Sequence, residues 1–545
     1  MMEQARLLLA IVLSFLVFVV WNFFFADTET PVASPEKTLS RQAGTAAPET
    51  PTAIPAPAVI PPTPVRTGRI ITVNAPRYTV KISEKGAAVT SVVLKDYRET
   101  VAKDSRRKEL IAQDLSAGTV LAGFSGGGIP SLRDVTFVGS PETDTLDING
   151  ESRSVSFVWA SPEGIVVRKS FSFSPDSYLI GMNVTVENTS GLPIRGNLSL
   201  SLLNHYPETP PRYGFEGASA LIGGSLEQVP VKDIEDKNTW SGKIGWIAIE
   251  SRYFMTGIVP GTPAEGRMHL VTSANNVLEN RYISPETEIA PGTQEQVAFD
   301  LFFGPKQLKL LKTFDNGLNE AVTFGMFDVI AKPCLWLMNL LYSIIPNYGL
   351  AIIILTILIK IVLWPLGNKS YQSMNEMKKI QPLMAELREK YKDDKQKMNE
   401  ELMTLYKLYK INPMGGCLPM VLQIPVFFAL YRMLYEAIEL RHAPFIGWIN
   451  DLSAPDRLFH FSFSIPFMEP PYGIPVLTIV MGATMLLQQK MSPPPGDPSQ
   501  AKMMMFMPVV FTFIFINFSS GLVLYWLVNN VLSISQQYYV LKKNA

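Results

Sequence analysis

The stretch Pro346 to Pro365 (PNYGLAIIILTILIKIVLWP) constrains this chain more than any other. It is apolar and long enough to cross a membrane, because about 20 residues at about 1.5 Å each match a hydrocarbon core about 30 Å thick. It carries one charge, Lys360. At that rise the lysine lies roughly 8 Å from the Trp364-Pro365 end, and its stem reaches about 6 Å. Snorkelling alone leaves the ammonium at or inside the hydrocarbon boundary, where a charge costs on the order of 3 kcal/mol. Either the lysine snorkels and marks the cytoplasmic side, or it faces a watered cavity between helices. Thr356, one helical turn away on the same face, favours the cavity.

The 545 residues exceed one ordinary domain, and 47% hydrophobic with 18% charged residues suits a chain that is part soluble and part membrane-bound. A net charge of zero gives no global field for nucleic acid. Cys334 and Cys417 fall on opposite sides of the Lys360 span, which argues against a disulfide, and neither they nor the scattered histidines have metal-ligand spacing. No metal or cofactor site is expected. Gly123-Phe124-Ser125-Gly126-Gly127 matches G-x-S-x-G, but it sits in a glycine-rich loop with no helical pattern after it. No catalytic residue, and hence no enzyme, is expected.

Residues 7–25 form an apolar run behind Arg6 with no good cleavage site, so residues 1–26 read as an uncleaved anchor with a cytoplasmic N-terminus. Residues 27–68 are rich in Pro, Ala and Thr and read as an extended tether. From 69 to 304, short alternating runs between turn formers (Phe171 and Phe173; Met182, Val184 and Val186; Leu198, Leu200 and Leu202) predict a large antiparallel β-sandwich. Residues 305–345 turn helical and read as amphipathic helices on the outer membrane surface.

Residues 346–545 read as a polytopic α-helical core with spans at about 346–366, 415–437, 473–490, 503–518 and 521–540. Residues 368–413 are dense in charge with a basic excess, which marks the cytoplasm. They carry two apolar stripes, Met377, Ile380, Met384, Leu387, Tyr391 and Met398, Leu402, Leu405, Tyr409, and so predict a helical hairpin. Its methionines, Met377, Met384, Met398 and Met403, fill the seam or offer an adaptable surface to varied apolar segments. Phe445 and Trp448 are candidate interface anchors in an outer loop, and 491–502 reads as a short polar loop. The helix ending near 518 should be only about 22 Å long, which calls for local thinning of the bilayer. Lys502 and Lys542-Lys543 should lie inside, which gives six spans with both termini cytoplasmic.

Several strings together resemble the YidC/Oxa/Alb membrane insertase family in its Gram-negative YidC form: KKIQPLMAELREKYKDDKQKMNEELMTLYK, INPMGGCLPMVLQIPVFFALY, ELRHAPFIGWINDLSAPD, QQKMSPPPGDP and FMPVVFTFIF…SSGLVLYW. The resemblance implies an inner-membrane protein that inserts and helps fold other membrane proteins, with no nucleotide or metal. It implies a hydrophilic groove open to cytoplasm and lipid, with Lys360, Thr356, Gln423, Gln489 and Trp526 lining it. Ile424, Pro425, Phe427, Ile514 and Tyr525 would line the client path. Lysine stands at 360 where the family often has arginine, which keeps the charge but loses the bidentate fork. Ser519-Ser520 stands where proline-serine is expected. Implied partners are nascent membrane proteins, the phospholipid bilayer, the Sec translocon with its accessory subunits, and the ribosome weakly through cytoplasmic loops. Contact with nucleic acid would come only through the ribosome. Tether and amphipathic helices would isolate the periplasmic β region from the groove and leave it dispensable. The competing readings are a small-molecule transporter and an anchored periplasmic sugar-binding module.

Overall fold

The computed structural model of the protein describes residues 68–543, apart from 127, 208–213, 263, 410, 412–417 and 493–497. The expected anchor, nearly all of the tether, Cys417 and the loop around 495 lie outside the described residues.

Strands between Ile70 and Pro305 form two sheets on one core. The long strands of the larger, thirteen-stranded sheet carry the alternation seen in the sequence. Ile165–Phe173 buries Phe171 and Phe173, Leu179–Asn188 buries Met182, Val184 and Val186, and Ile194–His205 buries Leu198, Leu200 and Leu202. Tyr282 and Phe299 meet at 5.8 Å although their strands are not hydrogen-bonded neighbours, so this sheet curls back over its own core. The smaller, five-stranded sheet corrects the expectation of purely antiparallel pairing. Ile70–Asn74 runs parallel to Thr145–Asp147, because the long intervening chain supplies the crossover that parallel pairing needs. Ser125 closes the strand Leu121–Ser125 with no helix after it, and its Oγ accepts from the Asn197 N–H at 2.9 Å, which is not a nucleophile elbow.

One charge sits at the centre of the β region. Lys169 is fully buried, and its ammonium donates to the carbonyls of Gly86 (3.1 Å), Ala87 (2.6 Å) and Val120 (3.0 Å). All three of those residues have positive φ (67°, 43° and 61°). Left-handed backbone is costly at alanine and more so at β-branched valine. The strain turns three carbonyls onto one cation and ties the start of the strand Ala88–Arg98 to the larger sheet.

Eight helices beyond the β region are labelled here in chain order: α1 (Asp328–Ile344), α2 (Tyr348–Val362), α3 (Trp364–Lys390), α4 (Lys395–Leu408), α5 (Leu418–Glu436), α6 (Val476–Met491), α7 (Pro498–Phe515) and α8 (Ser520–Lys543). Two expected spans change. The first ends at Val362, because the chain bends by 65° into α3. Pro365 sits in the first turn of α3, where its missing N–H does no harm, and it could not have continued α2. The helix expected from 503 begins at Pro498, inside the stretch read as a loop, and at 18 residues is about 27 Å long rather than about 22 Å. α1 packs Ala331, Leu335 and Met338 inward and leaves Val329, Trp336 and Ile344 exposed. With its lead-in, Gly325–Ile344, it is by length and composition the only single helix among the described residues that is long and apolar enough to cross a membrane.

The β region, expected to be isolated from the groove, is fastened to the end of the bundle. Arg252 donates from Nε and Nη2 to the carbonyl of Tyr435 at the end of α5, at 3.0 and 2.5 Å, and its guanidinium lies 3.7 Å from the Tyr435 ring centre. Arg441 donates to the carbonyls of Arg98 and Glu99. Two arginines therefore clamp the sheets to the end of the bundle, a fastening that no local sequence pattern announces. Replacing both with alanine should raise hydrogen exchange at 250–254 and 432–441. Unchanged exchange would show that the clamp contributes nothing.

Candidate functional site

α2, α5, α7 and α8 surround a cavity of about 470 Å³. Seven of the sequence-derived residues line it: Thr356 and Lys360 from α2, Gln423, Ile424 and Phe427 from α5, and Tyr525 and Trp526 from α8. Gln489, Pro425 and Ile514 do not. Gln489 sits in the last turn of α6, Pro425 lies within α5 away from the lining, and Ile514 is exposed on α7.

The cavity has two chemically distinct ends. At one end Lys360 is buried, and its Nζ donates to Ser533 Oγ at 2.7 Å. Ser533 Oγ in turn donates to the Asn529 carbonyl at 2.7 Å. Thr356 Oγ1 is spent on the Ile352 carbonyl, so it relieves its own polarity before serving anything in the cavity. At the other end the wall is aromatic. Trp526 meets Phe427 and Phe515 edge-on, each at 4.7 Å, and Phe511 at 6.4 Å. Trp526 therefore lines the cavity mainly as a packed ring, and the lining is less hydrophilic than the resemblance implies.

The sequence reading missed the polar side of α8. Asn529 and Asn530 line the cavity, and Asn530 Nδ2 donates to Thr484 Oγ1 at 3.2 Å. Beyond Ser533, Gln536 Nε2 donates to the Trp364 carbonyl and to Asn368 Oδ1, both at 3.0 Å. The signal was present. Asn529, Ser533 and Gln536 recur at intervals of four and three along the helix, which places them on one face.

The α3–α4 hairpin corrects the capture surface. Met377, Met384 and Met398 pack into the seam with Ile380, Leu402 and Leu405, and Tyr406 Oη lies 3.8 Å from Met384 Sδ. Two amphipathic helices bury their apolar faces on one another first. Met403 remains exposed, with Leu408 and Tyr409. In the outer loop Phe445 packs on α2, so close that a Cβ at Gly349 would meet its ring, whereas Trp448 stays exposed with its indole N–H donating to Asp456 Oδ1 at 2.5 Å.

Comparison with known proteins decides the family. Residues 70–337 match the YidC periplasmic domain, and residues 340–545 match the 60Kd inner membrane protein family. A protein of Syntrophus aciditrophicus (strain SB) named membrane protein insertase YidC is 40% identical over 99% of both chains. The protein of that name from Pelobacter propionicus is 40% identical, again over 99% of both. The chain belongs to the YidC family of membrane protein insertases. A solved structure described as an active YidC insertase with its first transmembrane domain resolved covers 87% of this chain and 93% of its own, at 17% identity and a TM-score of 0.37. In YidC terms, the strands from Ile70 to Pro305 fall in the periplasmic domain, and the Lys360 cavity falls in the inner-membrane part.

Proposed function

We propose that this chain inserts and helps fold integral membrane proteins by drawing the client's hydrophilic flank into the Lys360 cavity while its apolar segment moves along the aromatic wall into lipid. The observation that carries this reading is the buried Lys360 ammonium, held among the described residues by one hydroxyl at the edge of a cavity large enough for side chains. A cation with so few partners attracts an acidic flank. The aromatic end beside it matches an apolar segment. Burial of the client's apolar area in lipid, at about 25 cal/mol per Å², supplies the driving force. Ile424, Phe427 and Tyr525 are the wall residues closest to that role, and photocrosslinking from Phe427 to nascent chains tests it. Adducts with the apolar segment of the client are expected, and adducts with the flank alone would overturn the path.

The topology that goes with this reading has six spans: the anchor near 7–25, then α2, α5, α6, α7 and α8, with both termini in the cytoplasm. α1, though with its lead-in long enough to cross, packs one face on protein, exposes the other and lies in the outer interface. Cysteine at Ser499 should resist labelling from outside intact spheroplasts. Labelling from the periplasm would reverse the last spans.

Clients meet the α3–α4 hairpin first, through Met403, Leu408 and Tyr409 and the basic rim. Deleting 375–408 should abolish insertion while the remaining helices stay in the membrane. Unchanged insertion kinetics would leave the hairpin only a packing role. The Sec translocon with its accessory subunits and, weakly, the ribosome are proposed as further partners on the cytoplasmic and lateral faces.

A further inference from the structure

The segment between α5 and α6 carries rings that nothing among the described residues covers. Phe459, Phe463 and Phe467 are 67%, 62% and 85% exposed, and Phe463 stacks on Phe461 at 5.2 Å. Phe459 and Phe467 hold positive φ, 53° and 65°, a conformation bulky residues seldom adopt. The backbone beneath them is fixed. Arg457, itself buried, donates to the carbonyls of Pro471 (2.9 Å) and Ile516 (2.8 Å) and to Asn517 Oδ1 (3.2 Å). Asn517 Oδ1 accepts from the Glu469 N–H, and its Nδ2 donates to the Phe467 carbonyl, both at 2.9 Å. The loop is thus bolted to the α7–α8 turn, with its rings facing away from protein.

We propose that this loop, Leu458 to Met468, is an interfacial anchor whose phenylalanines bed in the outer-leaflet lipid at the boundary of headgroups and acyl chains. Three observations select lipid over a protein segment. The surface continues an apolar one, since Phe513 and Ile514 are exposed one turn before Asn517, and Ile479 and Val480 are exposed in the first turn of α6. From Leu458 to Ile474 the only acid or base besides His460 is Glu469, so no charge pattern selects a peptide. The rings stand exposed on a fixed backbone, which suits a fluid interface better than a shaped ligand. The proposal rests on the outward placement of this end of the bundle.

The test uses the full chain with Cys334→Ser, Cys417→Ser and Ser464→Cys, labelled with an environment-sensitive fluorophore and reconstituted in phosphatidylethanolamine–phosphatidylglycerol vesicles. Blue-shifted emission, quenched more by lipids brominated high on the acyl chain than by aqueous iodide, is the expected result. The shift should be lost when Phe459, Phe463 and Phe467 are all changed to Ser. Water-like emission quenched by iodide overturns the proposal, as does a blue shift that appears only when a client is added. Dithionite added to right-side-out vesicles reads sidedness separately. A label that is lipid-quenched but protected from outside dithionite would refute the topology and with it the outer-leaflet assignment, while lipid contact itself would stand.

Discussion

Lys360→Leu should slow insertion of a client with an acidic translocated flank by about tenfold, the equivalent of about 1.4 kcal/mol in the barrier. A version of the same client with its acidic residues replaced by Ser and Asn should change little. The asymmetry follows from what the side chain touches. Among the described residues its ammonium donates to Ser533 Oγ, and Lys360 itself lines the cavity. Two unit charges about 4 Å apart attract by about 4 kcal/mol at the effective dielectric of a partly wet site, enough to cover the expected loss. Leucine removes a buried charge, so the folded protein should be no less stable. Lys360→Arg keeps the charge and should keep most of the activity. Ser533→Ala leaves the charge but frees its position, and should give a smaller loss on the acidic client. Protease protection of both client versions measures all three variants. Equal slowing of both versions by the Leu variant would reduce Lys360 to a topological anchor.

Lys169→Met should destabilise the β region by about 3 kcal/mol, since three buried carbonyls lose their donor at about 1 kcal/mol or more each. The methionine fills most of the volume but leaves the Gly86, Ala87 and Val120 carbonyls, already in left-handed backbone, without their shared donor. The parent should also carry a pH signature. Burial pushes the Lys169 ammonium down to about 7, while the unfolded chain holds its lysine proton to about 10.4. Between those values the unfolded state binds more protons, so stability rises with pH. Below about pH 7 both states are charged and the dependence vanishes. The three carbonyls stabilise the charged form and shrink the rise without changing its sign. Calorimetry of the full chain in detergent should show the β transition moving up between pH 7 and 10 in the parent and not in the Met variant. A fall in the parent over that range would contradict the assignment.

How much of this was legible depends on whether the signal was local. Lys360 stood out because one charge interrupts an apolar run, with Thr356 a turn away on the same face, and the other five lining residues came with the resemblance. Asn529, Ser533 and Gln536 were legible by spacing, but α8 was read for length and not for its faces. Lys169 shares the inward parity of Phe171 and Phe173, so alternation alone pointed it into the core. The carbonyls that receive it come from 49 to 83 residues away, beyond any local pattern. The methionine stripes told where α3 and α4 are apolar. They predicted a hairpin with a methionine-filled seam, and Met377, Met384 and Met398 do pack there, while Met403, off both stripes, is left exposed.

The bend after Val362 has a mechanical consequence. α3 is a rod about 40 Å long that starts within a residue of the Lys360 helix, and Gln536 of α8 grips its first turns at Trp364 and Asn368. That grip acts as a fulcrum. A client that tugs the far tip of the hairpin by several ångströms would move the short arm beyond the grip, at Val362 and Leu363, much less but with greater force, against the helix that carries Ser533. Arrival of a client in the cytoplasm would thereby loosen the hydroxyl that holds the Lys360 ammonium before the client itself reaches the cavity.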